Sequence, residues 1–101
     1  MSSVTILKAM ADKNRMKILR LLAEQNCCVR SLAKKLGLTE AAASQHLKIL
    51  KEAGLLVGEK RGYFMHYSIK SETLYKLSDE IKALADLSSD SVTKNIFSKD
   101  K

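Results

Sequence analysis

Ser44 and Gln45, followed by Lys48 and Lys51 at helical spacing, are the residues of this 101-residue chain best suited to chemistry. On a helix from Glu40 to Ala53, periodicity places Ala43, Leu47 and Leu50 on one stripe. Glu40, Ala41, Ser44, Gln45, Lys48 and Lys51 fall on the opposite side. That outer face is small at its start and polar throughout, so it can approach the edges of stacked bases. The carboxamide of Gln45 both donates and accepts, a pattern that matches adenine in a major groove.

A second group follows at Lys60 and Arg61, beside Gly62. Cations at the tip of a hairpin reach a phosphate or a narrow minor groove. The third group is the adjacent pair Cys27-Cys28. The preferred reading is small side chains buried at a helix junction; the alternative is a vicinal pair that senses an oxidant or, with a cysteine from a second subunit, holds a trivalent arsenical. His46 falls by phase on the inner side of its helix, where packing or a phosphate contact is expected rather than base reading. Tyr63, Phe64 and Tyr67 are read as packing residues of the ribbon and core.

The elements that position these residues are legible from turn chemistry. The chain has no proline and four glycines, so helices can run long and each glycine marks a break. Val4 to about Ala11 reads as a first helix, with Asp12 capping a second that carries Ile18, Leu19, Leu21 and Leu22 and ends at Asn26. A short helix over 29–36 is closed by Gly37, and Thr39 caps the next. Short helix, Gly-Leu-Thr, longer helix is a helix-turn-helix. Gly54 stops it, Leu55-Leu56-Val57 begins an extended run, and a turn at Arg61-Gly62 or Gly62-Tyr63 returns the chain through Phe64–Ile69. The expected fold is mainly α with a small β-hairpin, a winged helix-turn-helix in the order α-α-α-α-β-β-α.

Ser71 is expected to cap a last helix whose Leu74, Leu77, Ile81, Leu84 and Leu87 form a narrow seam. With Leu7 of the first helix, that seam (Leu74, Leu77, Ile81 and Leu84) is the expected dimer interface. One domain over 1–87 and a polar, frayed tail over 88–101 are expected.

The net charge is +7, from 18 Lys and Arg against 11 Asp and Glu. Between Arg30 and His66, seven basic residues (Arg30, Lys34, Lys35, Lys48, Lys51, Lys60, Arg61) face three acids (Glu40, Glu52, Glu59). After Ser71 the balance is near neutral. The basic excess thus coincides with the candidate reading elements, as a polyanion partner requires. No apolar run approaches the roughly 20 residues that span a bilayer, and no secretory signal is seen, so a cytoplasmic protein with reduced thiols and no membrane partner is expected. No nucleophile–base pair, paired-carboxylate motif or Gly-rich phosphate loop is present, which argues against an enzyme.

These segments resemble the ArsR/SmtB family of small winged-helix repressors over about residues 5 to 87. MADKNRMKIL (Met10–Leu19) is similar to the family's LADxxRxxIL segment, and SQHLKILKEAGL (Ser44–Leu55) to its S-x-HLxxLxxAGL segment. Val57–Ile69 resembles its wing, V-x-x-x-R-x-G ending in Y-x-L. The resemblance implies a homodimer that binds a palindromic operator in double-stranded DNA and leaves it when an inducer binds. On that reading Lys35, Thr39, Glu40, Ala41, Ser44, Gln45, Lys48, Lys60 and Arg61 form the DNA-binding set.

The departures matter too. The C-V-C-D-L metal box of many members is Cys28-Val29-Arg30-Ser31-Leu32 here, with arginine in place of the second thiol, and the last helix has no histidine. Neither family metal site carries over, so no metal and no cofactor is expected. The inducer stays open among none, a thiol-reactive species or arsenical at Cys27 and Cys28, and a partner protein. The rival to DNA reading is a winged helix used only for protein interaction.

Overall fold

A computed structural model describes the backbone of residues 2–98 and the side chains of residues 2–90. Eight elements follow in order: α1 (Ser3–Met10), α2 (Lys13–Glu24), β1 (Cys27–Cys28), α3 (Val29–Leu36), α4 (Glu40–Glu52), β2 (Leu56–Arg61), β3 (Phe64–Ile69) and α5 (Ser71–Ser98). The expected winged helix-turn-helix is present, with one addition. The two-residue strand β1 pairs with β3 and completes a three-stranded antiparallel sheet in the order β1-β3-β2. A strand that short carries no periodicity of its own, so only its partner reveals it.

Side-chain caps set where the helices begin. The hydroxyl of Ser2 accepts from the Thr5 backbone N–H at 3.2 Å, the Asp12 carboxylate from Arg15 at 3.0 Å, and the Thr39 hydroxyl from Ala42 at 3.0 Å. Each satisfies an amide that the first helical turn leaves without a partner. α2 closes at Glu24, two residues before the expected Asn26.

Gly37 makes the tight turn between α3 and α4. Its φ is +67°, and the amide of Leu38 reaches back to the Ala33 carbonyl at 2.9 Å, the 6→1 bond of a Schellman close. Past Gly54 the same bond recurs, from Leu55 to the Leu50 carbonyl at 3.0 Å. The β2–β3 register runs from Leu56↔Ile69 to Arg61↔Phe64, which leaves Gly62 and Tyr63 as a two-residue loop with Gly62 at φ +62°. Of the two expected turns, it is the second that forms.

The core lies where these elements converge. Ile18 of α2, Leu32 of α3, Leu47 and Leu50 of α4, and Leu55 are its largest fully buried side chains. Each contributes roughly 1.5–3 kcal/mol by leaving water.

The chain divides into two compact units, the first ending at Ser71 and the second beginning at Glu72. α5 begins at Ser71 itself, which is thus its first helical residue. It also runs on to Ser98, so the expected frayed tail is corrected over 88–98, while residues 99–101 lie outside the described residues. No glycine or proline lies between Ser71 and Ser98 to end the helix.

Gly37→Ala is expected to lower stability by about 1–2 kcal/mol, the cost of a side chain in the left-handed region. A Cβ there meets nothing within 4 Å, so only backbone conformation is probed. An unchanged midpoint in urea denaturation would contradict this.

Candidate nucleic-acid interface

α4 is held by its apolar stripe and presents the other side. Ala43 and Leu50 are 0% exposed and Leu47 is 1% exposed, while Glu40, Ala41, Ser44, Gln45, Lys48 and Lys51 are all exposed. Thr39, the cap, is exposed at the start of the same face, and Lys35 is exposed on the last turn of α3. The exposed surface of the helix-turn-helix therefore contains every residue singled out for it in the sequence.

Two charged residues of the expected DNA-binding set, Glu40 and Arg61, have ion-pair partners. Glu40 forms an ion pair with Arg30 across 3.5 Å, tying the start of α4 to α3. Both side chains are exposed, so this pair adds little stability and serves to orient. Arg61 donates Nε and Nη2 to Glu59 Oε1 at 3.1 and 3.0 Å. Residues two apart on a strand share a face, so Glu59 and Arg61 meet on β2. The wing arginine is therefore satisfied within its own strand, whereas Lys60 is exposed with no ion pair among the described residues.

Lys51 is exposed but leans toward the ribbon. A Cβ at Gly58 would lie 3.7 Å from its Nζ and 3.3 Å from the Tyr67 ring. Gly58 thus allows the lysine of α4 and the tyrosine of β3 to approach one point on β2. Tyr63, read from sequence as a packing residue, is 97% exposed in the turn, and Phe64 is 47% exposed. Tyr63 is corrected: at a two-residue tip there is no opposite layer to pack against, whereas Phe64, the first residue of β3, has about half of its surface covered. Tyr67 is half-buried, as a packing role requires.

The structure also joins residues that sequence spacing left apart. His46 is half-buried, and its Nδ1 lies 3.3 Å from Arg15 Nη1 and 4.0 Å from Asp12 Oδ2. Arg15 Nε also donates to the Ala9 carbonyl, so one guanidinium links α1, α2 and α4. The Arg15 backbone N–H, helped by the charge of Arg15, holds the Asp12 carboxyl below its ordinary value. Arg15 and His46 are 31 positions apart, and no local pattern relates them.

Cys27 is buried, with Sγ 3.6 Å from the Gln25 carbonyl, and Cys28 is half-buried at the N-cap of α3. Consecutive strand residues face opposite sides, so the two thiols of one chain do not converge. Cys28 stands opposite His66 of β3, whose Nδ1 is buried without a hydrogen-bond partner. Among the described residues no group of three or more His, Cys, Asp or Glu side chains could hold a metal ion. No described helix is long and apolar enough to cross a membrane.

Of the expected dimer contacts, Leu7 is 44% exposed, Ile81 51% and Leu84 68%. Leu74 is half-buried, and Leu77 is buried in the single chain, so Leu77 is not part of an open seam.

A polar helix face set beside a basic two-stranded ribbon defines a winged helix-turn-helix regulator. The chain belongs to the ArsR family of bacterial regulatory proteins, whose family model it matches over residues 12–57. It is 34% identical to the transcriptional activator HlyU of Vibrio cholerae over 84% of this chain and 72% of that protein. It is 39% identical to the transcriptional repressor SmtB of Mycobacterium tuberculosis over 73% of this chain and 49% of that one. Among solved structures it resembles a homodimeric winged helix-turn-helix DNA-binding domain from Mycobacterium bovis, described as a possible ArsR-family regulator. That match has TM-score 0.68 and 31% identity, covering 82% of this chain and 77% of that one. Membership in this family sets aside the reading as a protein-interaction module and points away from an enzyme.

Asp12 has a lowered pKa, so its stabilisation is present above the unfolded value of about 3.9 and lost as pH falls through the folded value. Wild type should therefore exceed Asp12→Asn in thermal midpoint at neutral pH, with the gap shrinking below about pH 4. A gap that is constant with pH contradicts the assignment.

Proposed function

We propose that the chain is a sequence-specific DNA-binding transcriptional regulator that works as a homodimer on a palindromic operator. The observation that carries this is the division of α4, with Ala43, Leu47 and Leu50 buried and Ser44 and Gln45 exposed. In a two-fold dimer, paired recognition helices enter successive major grooves about 34 Å apart. Ser44 and Gln45 read base edges, and Ala41 leaves them room to approach. Lys35, Lys48, Lys60 and Arg61 hold phosphates, and Thr39 and Glu40 flank the groove at the start of the helix. Val4 (60% exposed), Leu7, Ile81, Leu84 and Leu87 (65%) supply apolar surface for the second copy.

Repression is the mode proposed. Occupying a promoter needs no surface beyond the one that grips DNA, and release by an inducer restores transcription. The relative named as an activator makes a promoter-reporter assay the arbiter, with loss of reporter signal expected when the chain is expressed. Its proposed place of work is the cytoplasm, with the DNA it reads.

Fluorescence anisotropy against the DNA upstream of its own gene tests the reading side chains. Gln45→Ala should lose roughly 1–3 kcal/mol at one base position and little on random DNA. Arg61→Ala should weaken every sequence and flatten the salt slope by about one unit. Glu59→Gln, which frees Arg61 from its partner, should do the reverse. Two chains should saturate each palindrome. Equal losses on operator and random DNA for Gln45→Ala would remove it from the base-reading set.

A further inference from the structure

α1, α2 and α4 border a groove of about 380 Å³, a size in the range of small-molecule sites. Ala9, Ile49 and Ala53 give it an apolar floor, and Lys8, Arg15 and Glu52 are its charged members. Two cations against one carboxylate leave an excess positive charge. The groove therefore offers what an amphipathic anion needs, namely a surface for hydrocarbon and a cationic end.

Arg15 belongs both to this groove and to the support of the reading helix. A guanidinium has five N–H donors and no acceptor. Nε is used on the Ala9 carbonyl and one N–H of Nη1 on His46 Nδ1, which leaves three N–H groups. His46 directly follows Gln45 in α4. A carboxylate prefers paired, in-plane N–H donors, and with opposite charges on both partners such a pair is stronger than a single bond to a neutral imidazole nitrogen. Each edge of the guanidinium that can pair both oxygens includes Nε or Nη1, the two nitrogens already engaged, so an acid seated here would draw on the groups that now hold α1 and α4 to α2.

We propose that this groove is the effector site of the regulator, taking a small amphipathic organic acid whose carboxylate pairs with Arg15 and Lys8. The acid's hydrocarbon part covers Ala9, Ile49 and Ala53. Its carboxylate competes with His46 for Arg15, loosens α4 one residue past Gln45, and lowers the affinity for DNA. The regulatory half rests on the DNA-reading function proposed above, while acid binding stands apart from it. An effector shifts DNA affinity only by as much as it discriminates between the bound and released states.

Sodium octanoate, kept below its micelle-forming concentration, is the probe, with 1-octanol as its uncharged counterpart. In 15N-labelled full-length protein, octanoate should move the amide signals of Ala9, Arg15, Ile49 and Ala53 and the ring signals of His46. Octanol should leave the His46 ring unmoved. Lys8→Glu should abolish the octanoate response, since it reverses the charge of the groove without touching the Arg15–His46 contact. In the anisotropy assay, saturating octanoate should weaken operator binding at least about fivefold.

The proposal is overturned if octanoate moves none of these signals, if octanol reproduces the His46 change, or if DNA affinity is the same with and without octanoate. A chain that binds octanoate but no DNA sinks the regulatory role together with the DNA reading. One that binds DNA but not octanoate sinks the groove alone.

Discussion

The burial of three side chains, Ala43, Leu47 and Leu50, is the constraint on which the rest of this molecule depends. Together they seat α4 against α2, α3 and the root of the wing, leaving each at most 1% exposed. A helix so seated has only one side to offer outside. The chemistry of that side is then a matter of residue types at 40, 41, 44, 45 and 48. Burial is non-directional, so the precision comes from elsewhere: the Thr39 cap fixes where the helix begins, and the left-handed Gly37 fixes the angle at which it leaves α3.

The wing is attached to the same root. Leu55 and Leu56 are buried at its base, Lys70 bonds back to the Leu55 carbonyl at 2.9 Å, and β1 extends the sheet on its far side. The ribbon is therefore joined to the helix-turn-helix through the strand that precedes α3 as well as through Gly54. Electrostatics is arranged over this frame in two states. Lys35, Lys48 and Lys60 have no ion pair among the described residues, while Arg61 is held by Glu59. In the proposed DNA-binding role a phosphate competes with that internal carboxylate, which favours contacts that offer the arginine two oxygens in place of one.

Most of the fold was legible because it is written in local signals. Asp12, Gly37 and Thr39 act where turn chemistry places them, and the phase of Ala43, Leu47 and Leu50 separated the inner from the outer face of α4. What was illegible is non-local. The strand at Cys27–Cys28 exists only because His66 and Tyr67 stand opposite it. The Arg15–His46 contact joins helices that sequence spacing does not relate. Aromatic character suggests packing for Tyr63, whereas its position at the tip leaves it 97% exposed. The last helix outran its expected end because polarity weakens a hydrophobic pattern without supplying a residue that stops a helix. For the reading face, residue types and phase were enough to nominate the side chains, but the pairing of Arg61 with Glu59 needed the strand to be built.

The unbroken pairing from Leu56↔Ile69 to Arg61↔Phe64 carries an evolutionary consequence. Side chains on a strand alternate, so a single inserted residue would exchange the two surfaces of everything beyond it. Lys60 would trade places with its neighbours, and the acid that restrains Arg61 would point the other way. Finger length in such proteins can therefore drift only by even steps in each arm, unless a bulge absorbs the odd residue.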